Sequence, residues 1–437
     1  MNNSLGKTVF LGTQHVLAMY AGAIIVPLIV GSALKLNAEQ MAYIIAVDLF
    51  TSGIATLLQA WRNPVFGIGL PVVLGCTFTA VFPMISIGSQ YGITAIYGAI
   101  ICSGIFVMLI SGWFGKLAKF FPPVVTGSVV TIIGITLVPV AINNMAGGVG
   151  SPDFGAASNL ALAFGVLLFI ILLNRFATGF IRSISVLLGL IAGTLVAALM
   201  GNVHFDSVSE ASWFSMATPL YFGTPVFEPS AIITMIVVAI VSMVESTGVF
   251  LALGEICGRK LDEKDLARGY RAEGLAVVIG GLLNSFPYTT FSQNVGLVQL
   301  SKSKSIRVIV AAGAILMMLG MIPKFAALAM IIPSPVLGGA MVAMFGMVVA
   351  AGIKMLGKVD FSSNENLLII ACSVALGMGV TVVPNLFAQF PPIFKILFEN
   401  GIVAGASTAV VLNVILNMGR STKSAEANEA KAAALPR

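Results

Sequence analysis

Residues Asn284 to Lys302, NSFPYTTFSQNVGLVQLSK, decide how this chain is read. The stretch lies among long apolar segments, yet its composition does not suit a lipid-facing helix. Pro287 interrupts a helix. Tyr288-Thr289-Thr290-Phe291, β-branched and aromatic, reads as a few residues of strand. Ser292, Gln293 and Asn294 then read as the start of a second, short helix, with Ser292 as its N-cap. Broken backbone at membrane depth is tolerated only where protein or a polar cavity satisfies it. A half-helix N-terminus carrying amide side chains in that position points to a solute-binding site.

The rest of the chain supplies the membrane. Of 437 residues, 58% are hydrophobic and 9% charged, against roughly 25% charged in a soluble protein. The apolar residues fall into separate runs rather than one block, as in a polytopic helical membrane protein. Segments are expected at 10–32, 41–60, 67–88, 93–112, 123–142, 158–175, 184–200, 230–253, 270–286, 292–301, 306–323, 333–353, 365–383 and 400–418. The first run follows a single Lys7 and has no small-residue cleavage site, so it reads as a membrane helix rather than a removed signal. With the N-terminus in the cytoplasm, 20 of the 23 Lys and Arg fall inside, and only Lys35, Lys324 and Lys395 outside. This positive-inside bias requires the broken stretch at 284–302 to be a crossing and both termini to be cytoplasmic. Residues 419–437 are a charged, Ala-rich tail.

The chain also repeats itself. Pro123, Gly127 and Gly134 match Pro335, Gly339 and Gly346 at an offset of 212, and Thr77-Phe78-Thr79 matches Thr290-Phe291-Ser292 at 213. Two related halves of seven crossings each place the second half upside down, an inverted repeat. The expected fold is therefore an all-α polytopic membrane protein of fourteen segments in two inverted sevens. The third segment becomes the partner of the 284–302 stretch. Two broken helices then meet with their N-terminal dipoles facing a polar ligand.

Few residues carry chemistry. Glu245 sits in an apolar span with no basic residue, where a carboxylate costs at least a few kcal/mol unless it faces protein or water. It is a candidate substrate acceptor and proton carrier, against a structural carboxyl bonded to a neighbouring helix. Gln293 presents a donor beside an acceptor, the complement of an amide or imide edge on an oxidised purine or pyrimidine. Asn294 is expected to satisfy broken backbone. Phe78 and Phe291 are candidates for stacking on a flat ring or for core packing. Glu273 either relays protons or pairs with Arg268 or Arg271. His15 either packs or tunes the site, and Asp48 either partners a hydroxyl or His15 or has a functional role. Cys76, Cys102, Cys257 and Cys372 are scattered and read as packing residues. No Walker loop, GxSxG or HExxH motif is present. The chain is expected to be no enzyme, to need no cofactor or metal, and to bind no nucleic acid.

Taken together, these residues resemble the nucleobase–ascorbate transporters, also called nucleobase:cation symporters. Their signature, [Q/E/P]-N-x-G-x-x-x-x-T-[R/K/G], stands here as Gln293-Asn294-Val295-Gly296-Leu297-Val298-Gln299-Leu300-Ser301-Lys302, departing only at Ser301. Pro287, Glu245, Arg271-Ala272-Glu273-Gly274 and Gln14-His15 also fit, and the whole looks most like bacterial xanthine permeases. The resemblance implies a core domain at 10–112 and 230–323, a gate domain at 123–200 and 333–418, short antiparallel strands in segments 3 and 10, and an elevator-like homodimer in the plasma (inner) membrane. It implies that Glu245 and Gln293 hold the base, with groups near Phe78, Phe291 and Ser292 adding contacts, and that Asn294, Gly296, His15 and Thr79 shape the site. Proton coupling falls to Glu245 and Glu273. Gln293 rather than Glu favours an oxidised purine, xanthine first, with urate or uracil as alternatives and an anion channel or exchanger as the reading from another class. Some uracil-carrying members have a His one turn after the eighth-span Glu; here that place is Val249.

Overall fold

A computed structural model describes residues 4–117, 121–203, 205–383, 385–391 and 398–418. The expected tail at 419–437 lies outside the described residues. The chain runs through α1 (Leu5–Ala33), α2 (Ala38–Ala60), β1 (Leu74–Cys76), a 3-10 turn (Phe78–Ala80), α3 (Val81–Tyr91), α4 (Ile93–Leu117), α5 (Pro123–Met145) and α6 (Ala157–Phe176). Then come α7 (Gly179–Ser183), α8 (Ser185–Leu199), α9 (Asp206–Glu210), α10 (Pro229–Cys257), α11 (Glu263–Leu282), β2 (Tyr288–Thr290) and α12 (Ser292–Ser301). The last are α13 (Ile306–Gly320), α14 (Pro323–Met330), α15 (Ser334–Leu356), α16 (Asn364–Val382) and α17 (Gly401–Asn413).

Among the described residues, eight helices are long and apolar enough to cross a membrane, and the α13–α14 pair makes a ninth. That pair departs from the sequence expectation. A single segment was expected at 306–323, but α13 ends at Gly320 and α14 leaves it at 78°. Pro323 explains the break, since it has no N–H to continue a helix and its fixed φ suits the first turn of a new one. Phe164, Leu168, Ile171, Leu172 and Phe176 of α6 are exposed, as lipid-facing side chains are.

By compactness the chain forms two units, residues 1–115 with 137–346, and 116–136 with 347–437. The core and gate division implied by the resemblance is drawn differently and is taken up under the proposed function. In the second unit α16 and α17 approach through glycine. A Cβ on Gly377 would lie 2.9 Å from the Gly401 carbonyl oxygen, so the backbones touch. In the first unit α2 and α13 do the same. A Cβ on Gly53 would lie 2.6 Å from the Gly313 carbonyl oxygen.

The first unit holds both broken segments. β1 and β2 pair antiparallel, with Leu74 opposite Thr290, Gly75 opposite Thr289 and Cys76 opposite Tyr288. The strands satisfy each other's backbone where the helices stop. Thr77, after β1, accepts from the Thr79 amide at 3.3 Å and starts the 3-10 turn. Asn284, with φ at +62°, turns the chain out of α11, and its Oδ1 accepts from the Phe222 amide at 3.1 Å. Phe291, 4% exposed, closes the arrangement. Its ring packs in a cluster with Val16, Met19, Ala23, Leu49 and Val73. A Cβ on Gly22 would come within 2.8 Å of that ring, and one on Gly75 closer still, so the two glycines make the slot it fills.

At one end of this unit Asp265 gathers three guanidinium groups. Arg62 lies 3.2 Å away, Arg259 2.6 Å, and Arg268 is also hydrogen-bonded. Arg259 also donates to the Ile68 carbonyl at 2.9 Å, tying the α10–α11 connection to the loop before β1. Burial pushes the Asp265 carboxyl up, but the three cations outweigh it and hold it below the ordinary 3.8. A depressed folded value means stabilisation that is complete above the unfolded value and lost as pH falls through the folded one. Asp265→Asn is therefore expected to cost about 1–3 kcal/mol of stability at pH 7, read as a lower melting temperature in detergent. The gap to wild type should narrow in acid below 3.8; a gap of equal size at both pH values would contradict the pairing.

Candidate functional site

Ser242, Glu245 and Ser246 lie at i, i+3 and i+4 on α10, so they share one face of that helix. The helix packs against β2, the 3-10 turn and α12. Thr79 Oγ1 in the 3-10 turn lies 3.1 Å from Ser242 Oγ and 2.7 Å from Thr77 Oγ1. Ser246 Oγ donates to Glu273 Oε1 at 2.5 Å. A hydroxyl has one proton to give. The contacts from Thr289 Oγ1 at 3.1 Å and Thr290 Oγ1 at 3.3 Å are therefore donations to Ser246. A directed chain runs from the threonines of β2 through Ser246 to Glu273.

Glu273 of α11 is 3% exposed, and Glu245 is close enough for the two carboxyl groups to interact electrostatically. Among the described residues neither has a cation within salt-bridge distance; the guanidiniums of Arg62, Arg259 and Arg268 are on Asp265. Arg271 instead donates to Ser111 Oγ at 3.0 Å. The pairing of Glu273 with Arg268 or Arg271 weighed from sequence is not formed. A cavity of about 20 Å³ lined by Ser242, Glu273 and Tyr288 is large enough for one water molecule.

The half-helix α12 supplies the amides. Ser292 is not its N-cap as expected. Phe291 holds that position with no side-chain hydrogen bond, and Ser292 is already helical. The exposed Ser292 hydroxyl instead reaches Gln293 Oε1 at 3.5 Å. Gln293 is half-buried and Gly296 exposed, with open space around a Cβ built on it. Asn294, 1% exposed, fastens α12 to α1. Its Nδ2 lies 3.1 Å from the His15 carbonyl oxygen and 3.1 Å from His15 Nδ1. The carbonyl can only accept, so the contacting atom is the amide nitrogen, His15 Nδ1 accepts, and the imidazole proton sits on Nε2. Asn294→Ala is expected to cost about 1–3 kcal/mol by orphaning His15. An unchanged melting temperature in detergent would contradict that link.

The two aromatic candidates differ. Phe78 is half-buried and meets Phe345 edge-to-face at 5.5 Å. Phe291 fills the Gly22–Gly75 slot, so its ring faces the core.

Sequence reading missed part of this constellation. Ser242, Ser246 and Thr289 were not singled out, because serines and threonines in apolar helices usually bond back to their own turn, as Thr234 does to the Ser230 carbonyl at 2.8 Å. The spacing of Ser242 and Ser246 about Glu245 was the available signal. Asp48 is wholly buried, and it partners hydroxyls. Its Oδ1 accepts from Ser285 Oγ at 2.8 Å and Tyr288 OH at 3.3 Å. Tyr288 OH also bonds Thr51 and Ser285. This cluster pins β2 to α2 from behind.

Comparisons with known proteins give the family. Residues 6–386 match the family model Xan_ur_permease, described as a permease family. The chain is 64% identical over 426 residues to the xanthine permease of Bacillus subtilis (strain 168), covering 98% of this chain and 97% of that one. It is 63% identical over 407 residues to the uric acid permease PucK of the same organism, covering 93% and 95%. Among solved structures, the transmembrane domain of the cyanobacterial bicarbonate transporter BicA aligns with a TM-score of 0.64 at 16% identity, covering 86% of this chain and 96% of that one. That likeness speaks for the fold alone. The chain is thus a multi-pass membrane transporter and not an enzyme, and it belongs to the nucleobase–ascorbate transporter family of permeases.

Proposed function

We propose that the protein imports an oxidised purine, most directly xanthine, together with a proton. The observation that carries this reading is the α10 face of Ser242, Glu245 and Ser246, on which Glu245 has no ion-pair partner among the described residues, on a helix that packs against α12, whose first turn carries Gln293. Gln293 supplies a donor and an acceptor to an imide edge, and Glu245 supplies a carboxyl that accepts when charged and donates when protonated. Phe78, at the edge of the 3-10 turn, is the ring placed for stacking. The Phe291 N–H is taken by the Val73 carbonyl, so Phe291 contributes by fixing the backbone at the start of α12, and the Ser292 N–H is the donor offered to an electron-rich carbonyl.

In this mechanism Glu245 takes a proton with the substrate, the protonated carboxyl and the base move together, and release of both on the cytoplasmic side returns the carrier. Glu273, reached through Ser246, senses the charge on Glu245 and is the second proton-coupling group. The wider frame belongs to the same proposal: fourteen segments in two inverted sevens, both termini cytoplasmic in the plasma membrane, and an elevator-like homodimer. Its core is residues 10–112 and 230–323, and its gate is 123–200 and 333–418.

Urate is the second reading, favoured by the 63% identity to a uric acid permease. Urate carries an oxo group at C8 where xanthine has C–H, so the two differ at one edge of the ring. Competition by unlabelled xanthine, urate and uracil against radiolabelled xanthine uptake, at stepped external pH, separates them. Xanthine should compete best and uptake should fall as external pH rises. Stronger competition by urate would replace the substrate, and pH-insensitive flux would favour a channel.

A further inference from the structure

Away from the α10 face, the first unit contains a cavity of about 750 Å³ at the far end of α12. Lys7, Lys302 and Lys304 line it, with Ser301, Ser303 and Ser305, and so do Gln14 and Leu297. No acidic residue is among the lining side chains, and none of the three lysines forms an ion pair among the described residues. Ser305, which lines the cavity, caps α13 without a side-chain bond, and its carbonyl accepts from the Val308 amide at 3.1 Å at the start of that fifteen-residue helix. Lys302 holds a left-handed backbone, φ +51°, at the C-cap of α12, which turns the chain to place Lys304 and Ser305.

Three lysines without ion pairs and the start of a fifteen-residue helix around one cavity make the donor set of a phosphate group. The volume is that of a small-molecule site. We propose that this cavity binds a phosphate monoester carried on a small body, such as a purine nucleoside monophosphate. Leu297 and Leu300 of α12 line the cavity, so its occupant bears on the same ten-residue helix that begins beside Gln293. A rigid helix of this length passes a shift at one end to the other, and occupancy is expected to slow transport. The binding claim stands without the proposed substrate; only its effect on transport rests on that reading.

The test uses purified full-length protein. Guanosine 5′-monophosphate, guanosine and inorganic phosphate are titrated by calorimetry, and phosphatidic acid is supplied in nanodiscs. The monophosphate is expected to bind and guanosine not, with binding weakened at least tenfold in Lys302→Ala/Lys304→Ala. Phosphate should bind weakly and be lost in the same variant. Binding of phosphatidic acid alone, lost in that variant, would also support the site and assign its phosphate to a lipid headgroup. Equal binding of guanosine and its monophosphate, no binding of any phosphate probe, or unchanged affinity in the variant would overturn it. Xanthine transport by the same preparation in liposomes keeps the two proposals apart. Its absence refutes the proposed substrate while the calorimetry still decides the cavity.

Discussion

Glu245→Gln is expected to cut xanthine uptake by cells roughly 100-fold, the loss of one charge-assisted hydrogen bond to a bound ligand. The substitution keeps the size of the side chain and its ability to accept through oxygen. It removes the one property the proposed mechanism requires, exchange of a proton. Two different outcomes are therefore expected from two neighbours. Gln293→Ala should raise the concentration for half-maximal uptake while leaving the pH dependence of the residual flux intact. Glu245→Gln should abolish that pH dependence. Undiminished, proton-dependent uptake by both variants would remove Glu245 and Gln293 from the site. Because Glu245 forms no ion pair among the described residues, the neutral substitution leaves no orphaned cation and should not unfold the protein.

Phe291→Ala should have the largest effect on stability, about 3–5 kcal/mol, because the ring fills a closed slot and its loss leaves a cavity there. Its walls are Gly22 and Gly75, which have no side chains to move, and Met19 and Ala23 of α1. The residue sits between β2 and α12, so the loss should also displace the start of the half-helix. Phe291→Leu is expected to cost less and to retain uptake. Phe78→Leu, at a half-buried position, should barely alter the melting temperature but should raise the substrate concentration needed for half-maximal uptake. Thermal unfolding of the purified variants beside their uptake curves reads both. If Phe291→Leu weakened substrate binding with no thermal effect, the ring would be a stacking platform and the core assignment would be wrong.

The main features of the fold were legible because each had a local chemical sign. Pro287, the Tyr288–Thr290 run and the polar start after Phe291 marked a broken segment, and the offset match to Thr77-Phe78-Thr79 pointed to its partner. The two stretches do meet as paired strands. Asn294 read as a structural amide, but one that satisfies broken backbone; its amide nitrogen instead bonds the His15 carbonyl and ring within the continuous helix α1. What could not be read depended on contacts far apart in sequence. Phe78 and Phe291 look alike in the chain, and only the glycines of α1 and β1 decide which one is core. Ser246 is one hydroxyl among many until Glu273, 27 residues later, lies against it. The Asp48 cluster joins α2 to residues more than 230 positions on, which no periodicity reveals. The Ser292 cap failed for a simpler reason. The strand ends one residue earlier than read, and the helix begins on the serine itself.

The most direct test of proton-coupled purine import is proton movement itself. Purified protein in liposomes loaded with a pH-sensitive dye, held at zero membrane potential, is given external xanthine. Wild type should acidify the lumen in step with the entry of radiolabelled xanthine, and Glu245→Gln should do neither. Entry of xanthine into wild-type liposomes with no change of internal pH would contradict the coupling.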